Sequence, residues 1–251
     1  MTSLHENRDR ALSFGSDEEA YDRVRPSYPP ALIDDLMADE PSRVLDVGCG
    51  TGKLGRLLVE RGCDVTGVEP DERMAEVARS HGLTVEAGTL ERWDPAGREF
   101  DLVVAGQSWH WVEPTAGPAK VQTVLRSGGR FAAAWNLGRF DDDLQAEMDA
   151  LYERIGPAQD SHPNAIGNAV SSWASTFDLS PLVDAEVRTY AWEQPYTRAE
   201  WLDQLPTHSN HRVMDPDALQ ALLDAVGALI DEHGGSVTSH YDTTVLHARR
   251  A

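Results

Sequence analysis

The feature that most restricts this chain is the stretch Arg43-Val44-Leu45-Asp46-Val47-Gly48-Cys49-Gly50-Thr51-Gly52-Lys53. A short apolar run carrying one carboxylate breaks into three glycines at alternate positions, then resumes with helical spacing at Leu54, Leu57 and Leu58. That order predicts a buried strand, a tight turn and a helix N-terminus. Glycine tolerates positive φ and leaves room for a ligand where a Cβ would stand. The free N–H groups opening the helix favour polar or anionic groups. A dinucleotide fingerprint, G-x-G-x-x-G, has a different spacing. Asp46, two residues before the first glycine, would repel a pyrophosphate and suit an ammonium group. The turn therefore reads as fitted to a nucleoside that carries an amino acid, against the plainer alternative of an ordinary strand-to-helix turn.

The residues downstream keep a strand–helix rhythm. Asp64–Val68 is a second buried strand, ending at Glu69-Pro70-Asp71. Glu69 lies 17 residues after Gly52, where a ribose-binding acid belongs in such units, and its carboxylate can accept from both ribose hydroxyls. Asp71 is an N-cap for a helix through Met74, Val77 and Ala78. Met74 reads equally as one wall of an adenine slot or as core. Residues 83–86 form a third strand, followed by Ala87-Gly88-Thr89-Leu90-Glu91. The fourth strand, Phe100–Ala105, runs into Gly106-Gln107-Ser108-Trp109-His110-Trp111. Open α/β sheets bind ligands beyond the C-terminal strand ends, at the switch point, here between the first and fourth strands. A helix over 117–126 stops at Gly128-Gly129, and a fifth strand, Arg130–Ala134, leads to Trp135-Asn136.

On either side the rhythm changes. Residues 1–13 are polar, and the prolines of Arg25-Pro26-Ser27-Tyr28-Pro29-Pro30 end one helix near Val24 and start another at Ala31. After residue 137 the pattern predicts a helix over Asp141–Gly156, an exposed loop or lid over 157–172, a strand over Val187–Trp192 and a capping box at Thr197 and Glu200. An amphipathic helix over 216–232 and a last strand, Tyr241–Ala248, close the chain. His208-Ser209-Asn210-His211 has the spacing of an H-x-x-H metal pair, but no Cys or carboxylate cluster lies beside it. A polar loop bordering the substrate pocket is the favoured reading, with no metal.

Charge and composition remove several classes. Against 22 basic residues stand 42 acidic ones, a formal charge of −20, which argues against a nucleic-acid surface and an anionic membrane surface. No apolar run reaches the roughly 20 residues of a membrane span, and the first residues have no signal-peptide apolar core. Two cysteines, Cys49 and Cys63, make no disulfide framework, so a reduced, cytoplasmic setting is expected.

The glycine stretch resembles motif I of the class I S-adenosylmethionine (SAM) dependent methyltransferases. Tyr21-x-x-x-Arg25-Pro26-x-Tyr28-Pro29, Gln107-x-x-His110-Trp111 and Trp135-Asn136 resemble signatures of a bacterial subgroup that includes trans-aconitate methyltransferase-like and methyltransferase type 11 proteins. The resemblance implies a Rossmann-like doubly wound α/β sheet of about seven strands, mostly parallel with an antiparallel last strand, plus helical cap insertions. It divides the chain into an N-terminal lid over 1–30, a SAM-binding core over 31–136, and cap insertions with closing strands over 137–251. It places SAM on Asp46, Gly48, Cys49, Gly50, Thr51, Gly52, Glu69, Pro70, Met74, Thr89, Leu90, Gln107 and Ser108, with Tyr21 or Arg25 at the methionine carboxylate. Trp109, Trp111, Trp135, Asn136, His208 and His211 are the acceptor-side candidates, and His110 is the candidate general base. The expected partner is a small-molecule methyl acceptor, in a monomer or homodimer. A nicotinamide-dependent oxidoreductase on a similar sheet, or a non-catalytic SAM-binding protein, are the competing readings.

Overall fold

A computed structural model describes residues 18–156 and 177–251. The chain enters through two short helices, α1 (Glu18–Val24) and α2 (Pro30–Leu36), the second opening with Pro30 in its first turn as the proline run predicts. Then come β1 (Arg43–Val47), α3 (Gly55–Glu60), β2 (Asp64–Glu69), α4 (Glu72–Ser80), β3 (Thr84–Ala87) and β4 (Phe100–Gly106). After a short 3-10 turn over Trp109–Trp111 follow α5 (Ala116–Val124), β5 (Leu125–Arg139) and α6 (Asp142–Ile155). The described remainder is β6 (Val183–Thr197), α7 (Arg198–Gln204), α8 (Pro216–Glu232) and β7 (Ser236–Arg249). The expected loop at 157–172 and the first 17 residues of the expected lid lie outside the described residues.

The strands form one seven-stranded sheet in the order β3-β2-β1-β4-β5-β7-β6. β1 to β5 run parallel, and β7 lies antiparallel to both β5 and β6. The chain steps outward from β1 to β3 and returns on the other side of β1 as β4. The switch point thus falls at the glycine turn, between β1 and β4.

Side-chain alternation along the strands separates two cores. Leu45, Val47, Val103, Phe131, Ala133 and Trp135 face one layer, with Trp93 and Trp109. Val44, Leu102, Val104, Ala132 and Ala134 face the other, against Leu32 and Leu36 of α2, Leu58 of α3 and Ala78 of α4. A third cluster, built on Phe140, Leu144, Met148, Leu222, Val226 and Ile230, packs α6 on α8 as a helical cap.

Three expectations at this end of the chain need correction. β5 is longer than Arg130–Ala134, because its pairing with β7 continues from Arg130↔Arg249 to Arg139↔His240. Gly128 and Gly129 lie inside that strand rather than ending a helix, which stops at Val124. β6 exceeds Val187–Trp192 on both sides because, as an edge strand, it is mostly exposed and shows no alternating apolar face to read. Its Pro195 is tolerated at an edge, where a missing ladder donor costs least. The capping box at Thr197 and the bounds of α8 agree with the sequence pattern.

Candidate active site

The ends of β1 and β4 converge tightly. Gly48 has φ +59°, and a Cβ there would fall 2.8 Å from Cβ of Ser108. Ser108 in turn donates its hydroxyl to the Val47 carbonyl. Gly48 donates its N–H to Val68 of β2 at 2.8 Å, so the turn is closed on both sides. Gln107, at the end of β4, holds φ +57°, an uncommon conformation for a side chain of its size. Its amide donates to the Ala134 carbonyl at 2.8 Å and its side chain to the Asn136 carbonyl at 3.2 Å. Strain kept by such an over-determined setting marks a site where backbone position matters.

Two buried carboxyls face the cavity above this turn. Glu69 accepts the Gly50 amide at 2.9 Å on one oxygen and the Asp71 amide at 3.0 Å on the other. Burial pushes its pKa up to about 7, against the pull of those two amides and with a further push from Asp71. Asp46 is 1% exposed, and neither of its oxygens has a full hydrogen bond among the described residues. Burial pushes it up to about 8, the Gly55 amide being the one donor that pulls it down, while Glu69 adds to the rise. A buried carboxyl left without partners is costly, and here it lines a cavity.

That cavity has a volume of about 360 Å³, within the range of small-molecule sites. Its floor is the glycine turn with Glu69, Pro70, Met74, Thr89 and Leu90; its roof is cap residues such as Phe140, Met148, Tyr152, Trp201 and Tyr241. α1 and the segment after it form one side. Tyr21, Arg25 and Tyr28 all line the space, and a Cβ on Gly106 would fall 2.5 Å from Oη of Tyr28. Arg25 donates to the Thr207 carbonyl at 2.8 Å, lies 3.2 Å from Nδ1 of His208 and sits 5.2 Å over the Tyr21 ring. Burial, with Arg25 and His211 close by, holds His208 well below its ordinary range, so its neutral ring can accept from Arg25. α1 is also fastened to the core: Asp22 meets His81 at 2.9 Å and Arg56 at 3.3 Å.

Most of the predicted site residues come together here: Tyr21, Arg25, Asp46, Gly48, Cys49, Gly50, Thr51, Glu69, Pro70, Met74, Thr89, Leu90, Gln107, Ser108, His110, Trp111, Asn136 and His208 all line the cavity. Four do not. Gly52 instead lets α3 approach α4, since a Cβ there would meet Ala78 at 3.2 Å and Leu83 at 3.3 Å. Trp109 and Trp135 are core residues, 2% and 0% exposed, packed on Phe131 and Phe177. Trp135 shares the inward face of β5 with Phe131 and Ala133, which fixes its direction. His211 is fully buried, its Nδ1 2.8 Å from the Leu205 carbonyl, so the His208–His211 turn borders the cavity on one side only. Among the described residues no cluster of three or more His, Cys, Asp or Glu is arranged to hold a metal.

His110 lines the cavity with a defined orientation. The Trp135 indole N–H donates to His110 Nδ1 at 3.3 Å. An indole nitrogen can only donate, so a neutral His110 carries its proton on Nε2. Sequence reasoning missed Lys53, which lines the cavity next to the glycine turn; burial pushes its amine down to about 8, with Asp22 opposing. Its place beside Gly52 was the available signal. Gln145, Tyr152, Trp201, Gln204 and Tyr241 were also missed, and they carry no motif; only the folded cap brings them to the cavity.

Comparison with known proteins agrees with this geometry. Residues 44–129 match a family described as a methyltransferase domain. An uncharacterised methyltransferase of Mycobacterium tuberculosis strain H37Rv is 47% identical over 151 residues, which is 59% of this chain and 61% of that protein. The trans-aconitate 2-methyltransferase of Mycolicibacterium gilvum is 30% identical over 183 residues, covering 69% of this chain and 68% of that protein. A solved structure from Anaeromyxobacter dehalogenans, assigned as a type II methyltransferase, superposes with a TM-score of 0.69 at 27% identity, covering 90% of this chain and 97% of the other.

Proposed function

The chain belongs to the class I SAM-dependent methyltransferase family, and from that premise we propose that it transfers a methyl group from SAM to a small-molecule acceptor. The observation that carries this reading is Asp46, a buried carboxyl without a full hydrogen bond among the described residues, lining the cavity at the glycine turn. An arriving cationic amino-acid group would ionise it and pair with it, whereas a pyrophosphate offers it no such partner, which separates SAM from a nicotinamide dinucleotide. Glu69 would hold the ribose, Met74 and Leu90 would flank the base, and Tyr21 or Lys53 would meet the methionine carboxylate. SAM, when bound, supplies a methyl on a positively charged sulfur.

The chain's own residues then position and desolvate. Gln107, Ser108 and Asn136 present neutral polar groups at the C-terminal strand ends. Neutral walls suit a centre that loses positive charge, and orientation supplies most of the acceleration in such displacements. α1 with Tyr28, and the cap above, exclude water. With its proton on Nε2, His110 acts as a hydrogen-bond donor to the acceptor and not as a general base. This favours an acceptor that needs no deprotonation, such as a carboxylate, over a neutral hydroxyl or ammonium. The test is conversion of labelled SAM to S-adenosylhomocysteine (SAH) with a panel of small acids, phenols and amines. Turnover with acids and none with phenols or amines is expected; turnover with none of them would reject the activity.

A further inference from the structure

The cavity separates its charges. Asp46, Glu69, Asp71 and Glu91 line its sheet side, whereas Arg25, Lys53 and Arg139 line it towards the N-terminal segment and the cap. None of these three cations has a carboxylate within 4.0 Å among the described residues, although acids outnumber bases 42 to 22 in the chain. Outside the cavity several arginines meet acids, as Arg98 does at Glu86, Arg130 at Asp35 and Arg126 at Asp101, while Arg43, Arg92 and Lys120 have no carboxylate within 4.0 Å among the described residues. What sets Arg25, Lys53 and Arg139 apart is that they share one cavity, with Asp22 acting on Lys53 only from beyond ion-pair distance.

Arg25 is the strongest of the three. Its Nε is enclosed with no hydrogen-bond partner among the described residues. Its other nitrogens are fixed to the cap side, at Thr207 and His208, rather than to the glycine turn. Lys53 stands at the turn itself and is the nearer cation in sequence to the expected amino-acid end of SAM. The cap side of the cavity carries Phe140, Met148, Trp201 and Tyr241 together with the polar Gln145, Gln204, Ser209 and Asn210. The residues 157–176, which belong to the cap region of the sequence, contain no Lys or Arg.

On the proposed activity, we infer that the acceptor is an amphipathic monoanion, with its anionic group held by Arg25 and its apolar body against the aromatic cap, and that Lys53 is the cation for the methionine carboxylate. Arg25 keeps N–H groups beyond those held by Thr207 and His208 for a charge-assisted contact with a carboxylate, and the neutral His208 ring beside it adds no second positive charge. A polycarboxylate would bring further charges against Phe140, Met148 and Trp201, which is expensive. Arg139, exposed at the rim, attracts the anion against the protein's overall negative charge.

The test begins with SAH binding to the full chain by calorimetry, which checks the underlying SAM reading by itself. SAH-loaded protein is then titrated with cinnamate, octanoate, cinnamamide and trans-aconitate. Saturable binding of at least one monoanion, at least tenfold tighter than cinnamamide and trans-aconitate, is expected. Arg25→Gln should abolish that preference while changing SAH affinity less than threefold; Lys53→Met should do the reverse. If SAH binds but no monoanion does, or the amide or trans-aconitate binds as well as the monoanions, the inference fails. It also fails if Arg25→Gln loses SAH affinity and keeps the acid preference. Because the acid–amide comparison uses the unmodified protein, it decides the matter even where a variant folds poorly.

Discussion

The indole N–H of Trp135, a fully buried core residue, is bonded to Nδ1 of His110, a cavity residue, across 3.3 Å. On the proposed activity this contact would make the neutral ring a donor to the acceptor, because it fixes the tautomer. His110→Gln, which keeps an N–H donor, should therefore retain more activity than His110→Ala. Loss of one hydrogen bond to a charged acceptor costs about 1.5–3 kcal/mol, or roughly 10- to 150-fold. The kcat profile should show no acid limb that disappears with the ring; such a limb would restore the base.

Glu69 is tied to the Gly50 amide at 2.9 Å and the Asp71 amide at 3.0 Å. Glu69→Ala removes both an anchor of the turn and the proposed ribose acceptor. It should weaken SAM binding by about 1.5–3 kcal/mol while circular dichroism still shows a folded sheet. Unchanged affinity in calorimetry would remove Glu69 from the site.

The two raised carboxyls make stability depend on pH. Asp46 moves from an ordinary 3.8 to about 8, and Glu69 from 4.5 to about 7, both chiefly through burial. Between those values the folded chain binds more protons than the unfolded one, so their contribution to stability falls as pH rises through the window. Melting temperature should decline from about pH 5 to about pH 8, and Asp46→Asn should flatten that decline. For a protein of this size each 1 kcal/mol is worth about 2–4 °C. A slope identical in the variant would show that Asp46 is ionised in the free protein.

Much of this site is legible in the sequence because spacing along the backbone dictates it. Asp46, Gly48, Gly50 and Glu69 sit at strand ends whose positions follow from two short apolar runs and a turn. The tryptophans show the limit of that reasoning. Trp109, Trp111 and Trp135 read alike in sequence, but strand alternation and a 3-10 turn send two of them into the core and one to the cavity. The roof is illegible for a different reason: α6, α7 and the turn after it meet only through tertiary packing, so Tyr152, Trp201 and His208 share no local pattern.

The bond between Asp22 of α1 and His81 at the end of α4 makes a further prediction. Both side chains are half-buried, so the pair, with Arg56, fastens the N-terminal segment beside the glycine turn. Asp22→Ala should weaken SAM binding more than it lowers the melting temperature. Removal of residues 1–28 should have the same effect in larger measure. A truncated protein that binds SAM normally would assign the segment a structural role alone.

What the glycine turn accepts is measured most directly by calorimetric titration of SAH into the full chain, beside NADH. The prediction is one SAH per chain, with affinity weakened on Glu69→Ala and on Asp46→Asn, and no binding of NADH. Saturable NADH binding without SAH binding would make the glycine turn a dinucleotide site and exclude SAM from it.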